Sequence, residues 1–227
     1  MIAAPADAVV FDLDDTLYLE RDFVFSGYRA VSAVVEAELG FAIEERLIAR
    51  FLAGERGDLF TPTLKERLRS VDEPYIRHLV AVYRQHEPDI RPFPDTLPTL
   101  DALAGRISLG LITDGIPAVQ RNKLRALGLE SRFDAIVVTG ELGPDAGKPS
   151  PRPYRECARL LGRGDVPLTY VGDNPAKDFV GAHSLGWDTI RVHHPDSVYA
   201  AHAHPPPYAA RRTVSRLQEI LQMLIRW

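Results

Sequence analysis

"VVFDLDDTLYLE", residues 9–20, begins like a buried strand and ends in charge. The apolar run gives way to Asp12, Asp14 and Asp15 within four positions. Carboxylates held at the mouth of a buried strand need a cation or a chemical task. In a parallel sheet, ligands gather beyond the carboxyl ends of the strands, near the point where strand order switches. The plainer reading is a turn, where aspartate is common. The rest of the chain has to separate the two.

Four further apolar, β-branched runs resemble the first, "AVVFDL" at 8–13. They are "ISLGLIT" (107–113), "DAIVVT" (134–139), "LTYVG" (168–172) and "DTIRV" (188–192). Helix-length segments separate the last four, at 116–129, 151–162 and 175–186, and Pro151 suits a first helical turn. This alternation predicts an α/β fold, a parallel sheet covered by helices.

The connection between the first and second runs breaks the pattern. It extends from about residue 18 to 106, and it is not loop-like. Apolar residues recur at helical spacing over 23–39, 43–54, 62–70 and 74–86. A Pro-rich return at 88–98 follows, then a helix near 96–105. The expected organisation is a core of residues 1–18 and 92–227, with a helical domain, 19–91, inserted after the first strand. Residues 193–210 hold four of the seven histidines and read as a surface loop. The final "RRTVSRLQEILQMLIRW", 211–227, reads as an amphipathic closing helix.

Composition narrows the class. The 227 residues are 45% hydrophobic, enough for a substantial core, and the formal charge of −4 is not the basic footprint of a nucleic-acid binder. The single cysteine, Cys157, excludes an internal disulfide and a multi-cysteine zinc site, and is expected to be a buried thiol. The N-terminus lacks the basic region of a signal peptide. No stretch approaches the ~20 apolar residues of a membrane span. A cytoplasmic protein without a membrane or nucleic-acid partner is expected, as a monomer or a homodimer.

A second acidic group lies downstream. "YVGDNPAKDF" places Asp173 just after the 168–172 run and Asp178 five residues later. Two acidic strand ends can share one divalent ion, and oxygen-only ligands favour Mg²⁺. "LITDG" ends its strand in Thr113, Asp114 and Gly115, a hydroxyl and backbone N–H groups able to face an anion. "AGKPSP" presents Lys148 just before a helix.

Taken in order, these stretches resemble the haloacid dehalogenase superfamily, and within it the phosphatases. D-x-D-x-T is present as Asp12, Asp14 and Thr16; the second motif is Thr113 after an apolar strand. The third is Lys148 followed by Pro149, and the fourth is Gly172-Asp173 with Asp178 beyond. The resemblance implies a Rossmann-like core with strand order 5-4-1-2-3 and a helical cap of the first type. It also implies roles. Asp12 is the expected nucleophile, attacking phosphorus to form an aspartyl-phosphate. Asp14 is the expected general acid and base. Thr113, Asp114, Gly115 and Lys148 would hold the phosphoryl oxygens. Asp12, Asp173 and the backbone carbonyl of Asp14 would ligate Mg²⁺, with Asp178 orienting the site from behind. Asp15 has no part in the motif and reads as a surface or turn residue. Asp114 departs from the small polar residue usual there and adds a negative charge. Arg21, Tyr28 and Arg29, soon after the first motif, are candidate substrate contacts, each with a competing reading as a surface or cap-core residue.

The expected activity is hydrolysis of a small phosphorylated metabolite, such as a sugar phosphate or nucleotide. A phosphomutase uses similar core residues and stays open. A 2-haloacid dehalogenase fits less well, because Asp14 argues for phosphate chemistry. A phosphonatase would need a cap lysine, and Lys65, the only lysine of the inserted region, sits in a solvated helix face. A phosphate-binding or receiver-like protein without turnover would leave the helical insertion unexplained.

Overall fold

A computed structural model of the chain describes residues 8–198 and 205–224. The N-terminal stretch read for a signal peptide, His202 and His204, and residues 225–227 of the final segment lie outside them.

The sheet is wholly parallel. Its strands are β1 (Ala8–Phe11), β2 (Ser108–Thr113), β3 (Ala135–Val138), β4 (Thr169–Gly172), β5 (Asp188–Val192) and β6 (Arg212–Val214). They lie in the order β3-β2-β1-β4-β5-β6. The expected order 5-4-1-2-3 is therefore present, with one further strand beside β5. The central strand is β1, all four of whose residues are buried. Successive side chains of a strand point to opposite faces. Val10 and Ala8 join one apolar cluster with Ile112, Val137, Tyr154, Cys157, Phe179 and Trp187. Val9 and Phe11, on the other face, are equally buried. Burial on both faces explains why β1 reads as a continuous apolar run instead of an alternating one.

The helices of this unit are α5 (Thr96–Leu103), α6 (Pro117–Ala126), α7 (Arg152–Leu160), α8 (Asp178–Ser184) and the short α9 (Leu221–Leu224). Proline occupies the first or second helical position of α6 and α7, where its missing N–H costs nothing. Cys157 lies on the inner face of α7 and is buried, as expected.

The final segment corrects the sequence reading. It opens with β6, not a helix, and Thr213 and Val214 extend the parallel ladder onto β5. A 3-10 turn (Leu217–Ile220) and α9 then follow. The helical periodicity was real over only part of it: Leu217, Ile220 and Leu224 are the buried residues. The β-branched pair before them belongs to the sheet. The third inserted helix is also shorter than its periodicity suggested.

Residues Arg21–Ile90 form a second compact unit. It is built from α1 (Glu20–Leu39), α2 (Glu44–Leu52), α3 (Phe60–Lys65) and α4 (Glu73–Gln85). An aromatic cluster of Phe51, Phe60, Tyr28 and Tyr83 holds them together, with ring centroids 5.9–6.4 Å apart. The Ser32 hydroxyl accepts the N–H groups of Ile43 and Glu44 and so satisfies the start of α2. Among the described residues no helix is long and apolar enough to cross a membrane.

Candidate active site

Register delivers the functional side chains to one edge. Phe11 is level with Val171 of β4 and Leu111 of β2. The Asp12 N–H continues the ladder by donating to the Val171 carbonyl at 2.8 Å. Asp12, Asp173 and Thr113 therefore all emerge at the carboxyl ends of three adjacent strands.

Asp12 and Asp173 are 2% and 3% exposed, and Asp178 is fully buried. One carboxylate oxygen from each lies within 4.8 Å of the others. Lys148 Nζ sits among them. It donates to Asp12 Oδ1, to Asp178 Oδ1 at 2.8 Å and to the Tyr170 hydroxyl at 3.1 Å. The second oxygen of Asp178 accepts the Asn174 N–H at 2.8 Å. Gly172 makes room for this: a Cβ there would meet Asp178 Oδ2 at 2.6 Å. The glycine of the fourth motif thus has a steric cause.

Lys148 is hydrogen-bonded within the cluster, and Lys177 and Arg191 act on it electrostatically, yet Asp12 and Asp173 stay raised. Burial, reinforced by Asp178 and opposed by Lys148, pushes Asp12 up to about 7. Burial and the charges of Asp178, Asp12 and Asp15 lift Asp173 well above the usual carboxylate range. Burial works against the Lys148 ammonium, but Asp12 and Asp178 more than offset it and raise its pKa. Crowded, all-oxygen donors with surplus negative charge suit a hard divalent cation.

Asp14 has hydrogen-bond partners of its own. Its carboxylate accepts from Lys123 Nζ at 2.7 Å, from Gln120 Nε2 at 3.0 Å and from the Tyr18 hydroxyl. Burial alone would raise its pKa, but Lys123, Tyr18 and Gln120 hold it below the ordinary value. Lys123 and Gln120 come from α6 and went unrecognised in sequence, where they look like ordinary positions of an amphipathic helix. Both are buried, 4% and 2% exposed, which only the fold reveals.

The Asp114 carboxylate braces the third motif. Oδ1 accepts the Lys148 N–H at 3.1 Å, and Oδ2 lies 3.6 Å from Lys177 Nζ. Its extra charge is thus partnered, by a lysine that the sequence reading did not single out. Asp15 lies in a turn but is not a surface residue: it is 1% exposed with φ 56°. It accepts the N–H groups of Glu20 and Val198 and the Ser197 hydroxyl, and that hydroxyl also contacts Asp173 Oδ2 at 3.0 Å. The histidine-bearing loop after β5 is therefore tied to the acidic edge through its serine. His194 stacks instead on Phe93.

The three candidate contacts from the helical unit have partners of their own. Tyr28 packs in the aromatic cluster, Arg29 pairs with Glu44 and Asp89, and Arg21 is half-buried near Asp22.

Comparison with known proteins agrees with this layout. The family model described as "Haloacid dehalogenase-like hydrolase" matches residues 9–192. Two similar curated proteins are glyceraldehyde 3-phosphate phosphatases. The one from Methanopyrus kandleri is 33% identical over 82% of this chain and 83% of its own length. The one from Methanocaldococcus jannaschii is 33% identical over 81% and 83%. Among solved structures, a putative beta-phosphoglucomutase from Thermotoga maritima superposes with a TM-score of 0.68 at 24% identity, covering 96% of this chain and 98% of that one. At that identity it speaks for the fold alone. The chain belongs to the haloacid dehalogenase-like hydrolases. Within that family it stands in the phosphatase branch, a phosphoric monoester hydrolase.

Proposed function

We propose that the chain is a Mg²⁺-dependent phosphatase that hydrolyses a small phosphorylated metabolite through an aspartyl-phosphate on Asp12. The observation that carries this reading is the buried Asp12 carboxylate at the end of the central strand, with Lys148 against one oxygen and Asp173 beside it. The substrate class is a short-chain sugar phosphate such as a triose phosphate, by analogy with the phosphatases to which the chain is similar.

Asp12, Asp173 and the Asp14 backbone carbonyl are the proposed Mg²⁺ ligands. The ion would neutralise charge between nucleophile and phosphoryl group. Asp178 is better placed to orient the site, because both its oxygens are already hydrogen-bonded. Asp12 Oδ attacks phosphorus as the bond to the leaving oxygen breaks, and that oxygen takes a proton from Asp14. Asp14 then accepts a proton from water, which attacks phosphorus. The bond to Asp12 breaks, inorganic phosphate leaves and Asp14 is again protonated. The donors Lys123, Gln120 and Tyr18 favour Asp14 as the carboxylate, the form the second half would need. The first half needs it protonated, which the approach of a phosphoryl dianion favours. Lys148, the Thr113 hydroxyl and the backbone N–H groups of Asp114 and Gly115 are the proposed grip on the remaining oxygens. The inserted helical unit is read as the cap that selects the leaving group.

The test is phosphate release from a panel of small esters, glyceraldehyde 3-phosphate among them, with Mg²⁺. Asp12→Asn is expected to abolish turnover while the fold is retained. Wild-type rates in that variant would remove Asp12 as the nucleophile. Hydrolysis without any divalent ion would refute the metal requirement.

A further inference from the structure

The proposed acid and the proposed phosphate grip share one amide. We propose that Gln120 is a positioning residue that holds the Asp14 carboxylate in place and fixes the Thr113 hydroxyl as a donor toward the phosphoryl group. This inference rests on the hydrolytic reading above.

Gln120 Nε2 lies 3.0 Å from Asp14 Oδ2 and within hydrogen-bond reach of Thr113 Oγ1. The side chain is buried, so its hydrogen bonds are not traded for water. A carboxylate only accepts, so the NH₂ end of the amide must face Asp14. An NH₂ group has two protons. One goes to Asp14 and the other to Thr113. Thr113 therefore accepts from Gln120, and its own proton is left to point elsewhere. At the end of β2 the group to receive it is a phosphoryl oxygen. A hydroxyl can turn either way, and the amide removes that choice.

Two neighbours hold Gln120 in this pose. Lys123, one turn on along α6, anchors the other Asp14 oxygen at 2.7 Å. Gly115, with φ 142°, closes over the glutamine: a Cβ there would stand 3.2 Å from Gln120 Cγ and Cδ. A single amide thus ties the leaving-group acid to the phosphate grip, so that both are oriented before substrate arrives.

The test compares Gln120→Met, which keeps volume without donors, and Gln120→Glu, which keeps shape but turns the donors into acceptors. Each is assayed on glyceraldehyde 3-phosphate and on p-nitrophenyl phosphate, whose leaving group departs without protonation. Both variants are expected to lower kcat on the sugar phosphate by on the order of 10²-fold, and to lose at least about tenfold less on p-nitrophenyl phosphate. Inorganic phosphate, titrated by calorimetry in the presence of Mg²⁺, is expected to bind about tenfold more weakly, the weight of one lost or misdirected hydrogen bond. Equal losses on the two esters, or wild-type kinetics and phosphate affinity in a folded variant, would overturn the proposal. Should the wild type release no phosphate from any ester, the hydrolytic reading fails instead. Phosphate affinity would still judge Gln120, and an unchanged value in Gln120→Met would overturn its role.

Discussion

Lys148→Met removes one buried charge and keeps most of the side chain's volume. The ammonium is fully buried between Asp12 and Asp178. Taking away one partner of a buried ion pair costs roughly 3–5 kcal/mol, because the other partner stays buried without compensation. In a chain of this size each kcal/mol moves the melting midpoint by roughly 2–4 °C, so a fall of about 6–20 °C is expected in metal-free buffer. The pH dependence has a definite sign. Burial, with Asp178 adding to it, holds Asp12 at about 7 even with Lys148 present. Without the lysine its pKa climbs further. A carboxyl group raised in the folded state contributes stability that is complete below its unfolded value of 3.8 and lost as pH rises through the folded value. The variant therefore goes on losing stability above about pH 7, by about 1.4 kcal/mol per pH unit for each extra proton retained. The gap between wild type and variant must widen on the alkaline side. Trp187, buried against Tyr154, reports the sheet unit by fluorescence, and the helical unit contains no tryptophan. A loss under about 1 kcal/mol, or a gap independent of pH, would show that Lys148 does not carry the electrostatic balance of the site.

Two further outcomes follow, one from the same charges and one from burial. Asp12 and Asp173 are both raised, so the metal-free protein should lose stability as pH climbs from about 4 past 7, and Mg²⁺, which competes with those protons, should raise the midpoint more at pH 8 than at pH 5. An equal or larger shift at pH 5, read in the same fluorescence melts, would contradict it. Cys157, whose thiol burial pushes up to about 12, should resist a thiol reagent in the native protein and react only after unfolding; prompt labelling at pH 8 would show that α7 does not seal it.

The strands that build the active edge were legible because each is buried on both faces. That produces a dense apolar run which turn residues then interrupt, and β1, β2 and β4 all read this way. The strand that escaped notice is β6, three residues long and at the sheet's margin. A short edge strand buries too little to leave a pattern, and Val214 is its only buried residue. Its neighbours, with real helical periodicity, absorbed it. Strand order is a different kind of information. Periodicity is blind to it, and here it came through the motif resemblance.

The acidic edge was legible for a related reason. Asp12 and Asp173 follow immediately on strands that the pattern identifies, and Lys148 stands just before a helix that it identifies, so placing the element places the residue. Gln120, Lys123, Lys177 and Ser197 lack that advantage. Gln120 and Lys123 sit within a helix whose buried face is decided by what it packs on, and no local signal separates a buried lysine from a solvated one. Ser197 reaches Asp15 and Asp173 across more than twenty residues of sequence, through a loop with no regular structure. The missed residues share one property. Each touches a carboxylate of the first or fourth motif, or the Asp114 that follows the second. A cluster of buried charge imposes requirements on whatever surrounds it, since an unpaired carboxylate costs more than one hydrogen bond returns. Once the acids are fixed by sequence, partners for them must exist somewhere in the fold. Their identity is what only the folded chain supplies. The same logic makes Gln120 more than packing: besides holding Asp14, it contacts the Thr113 hydroxyl.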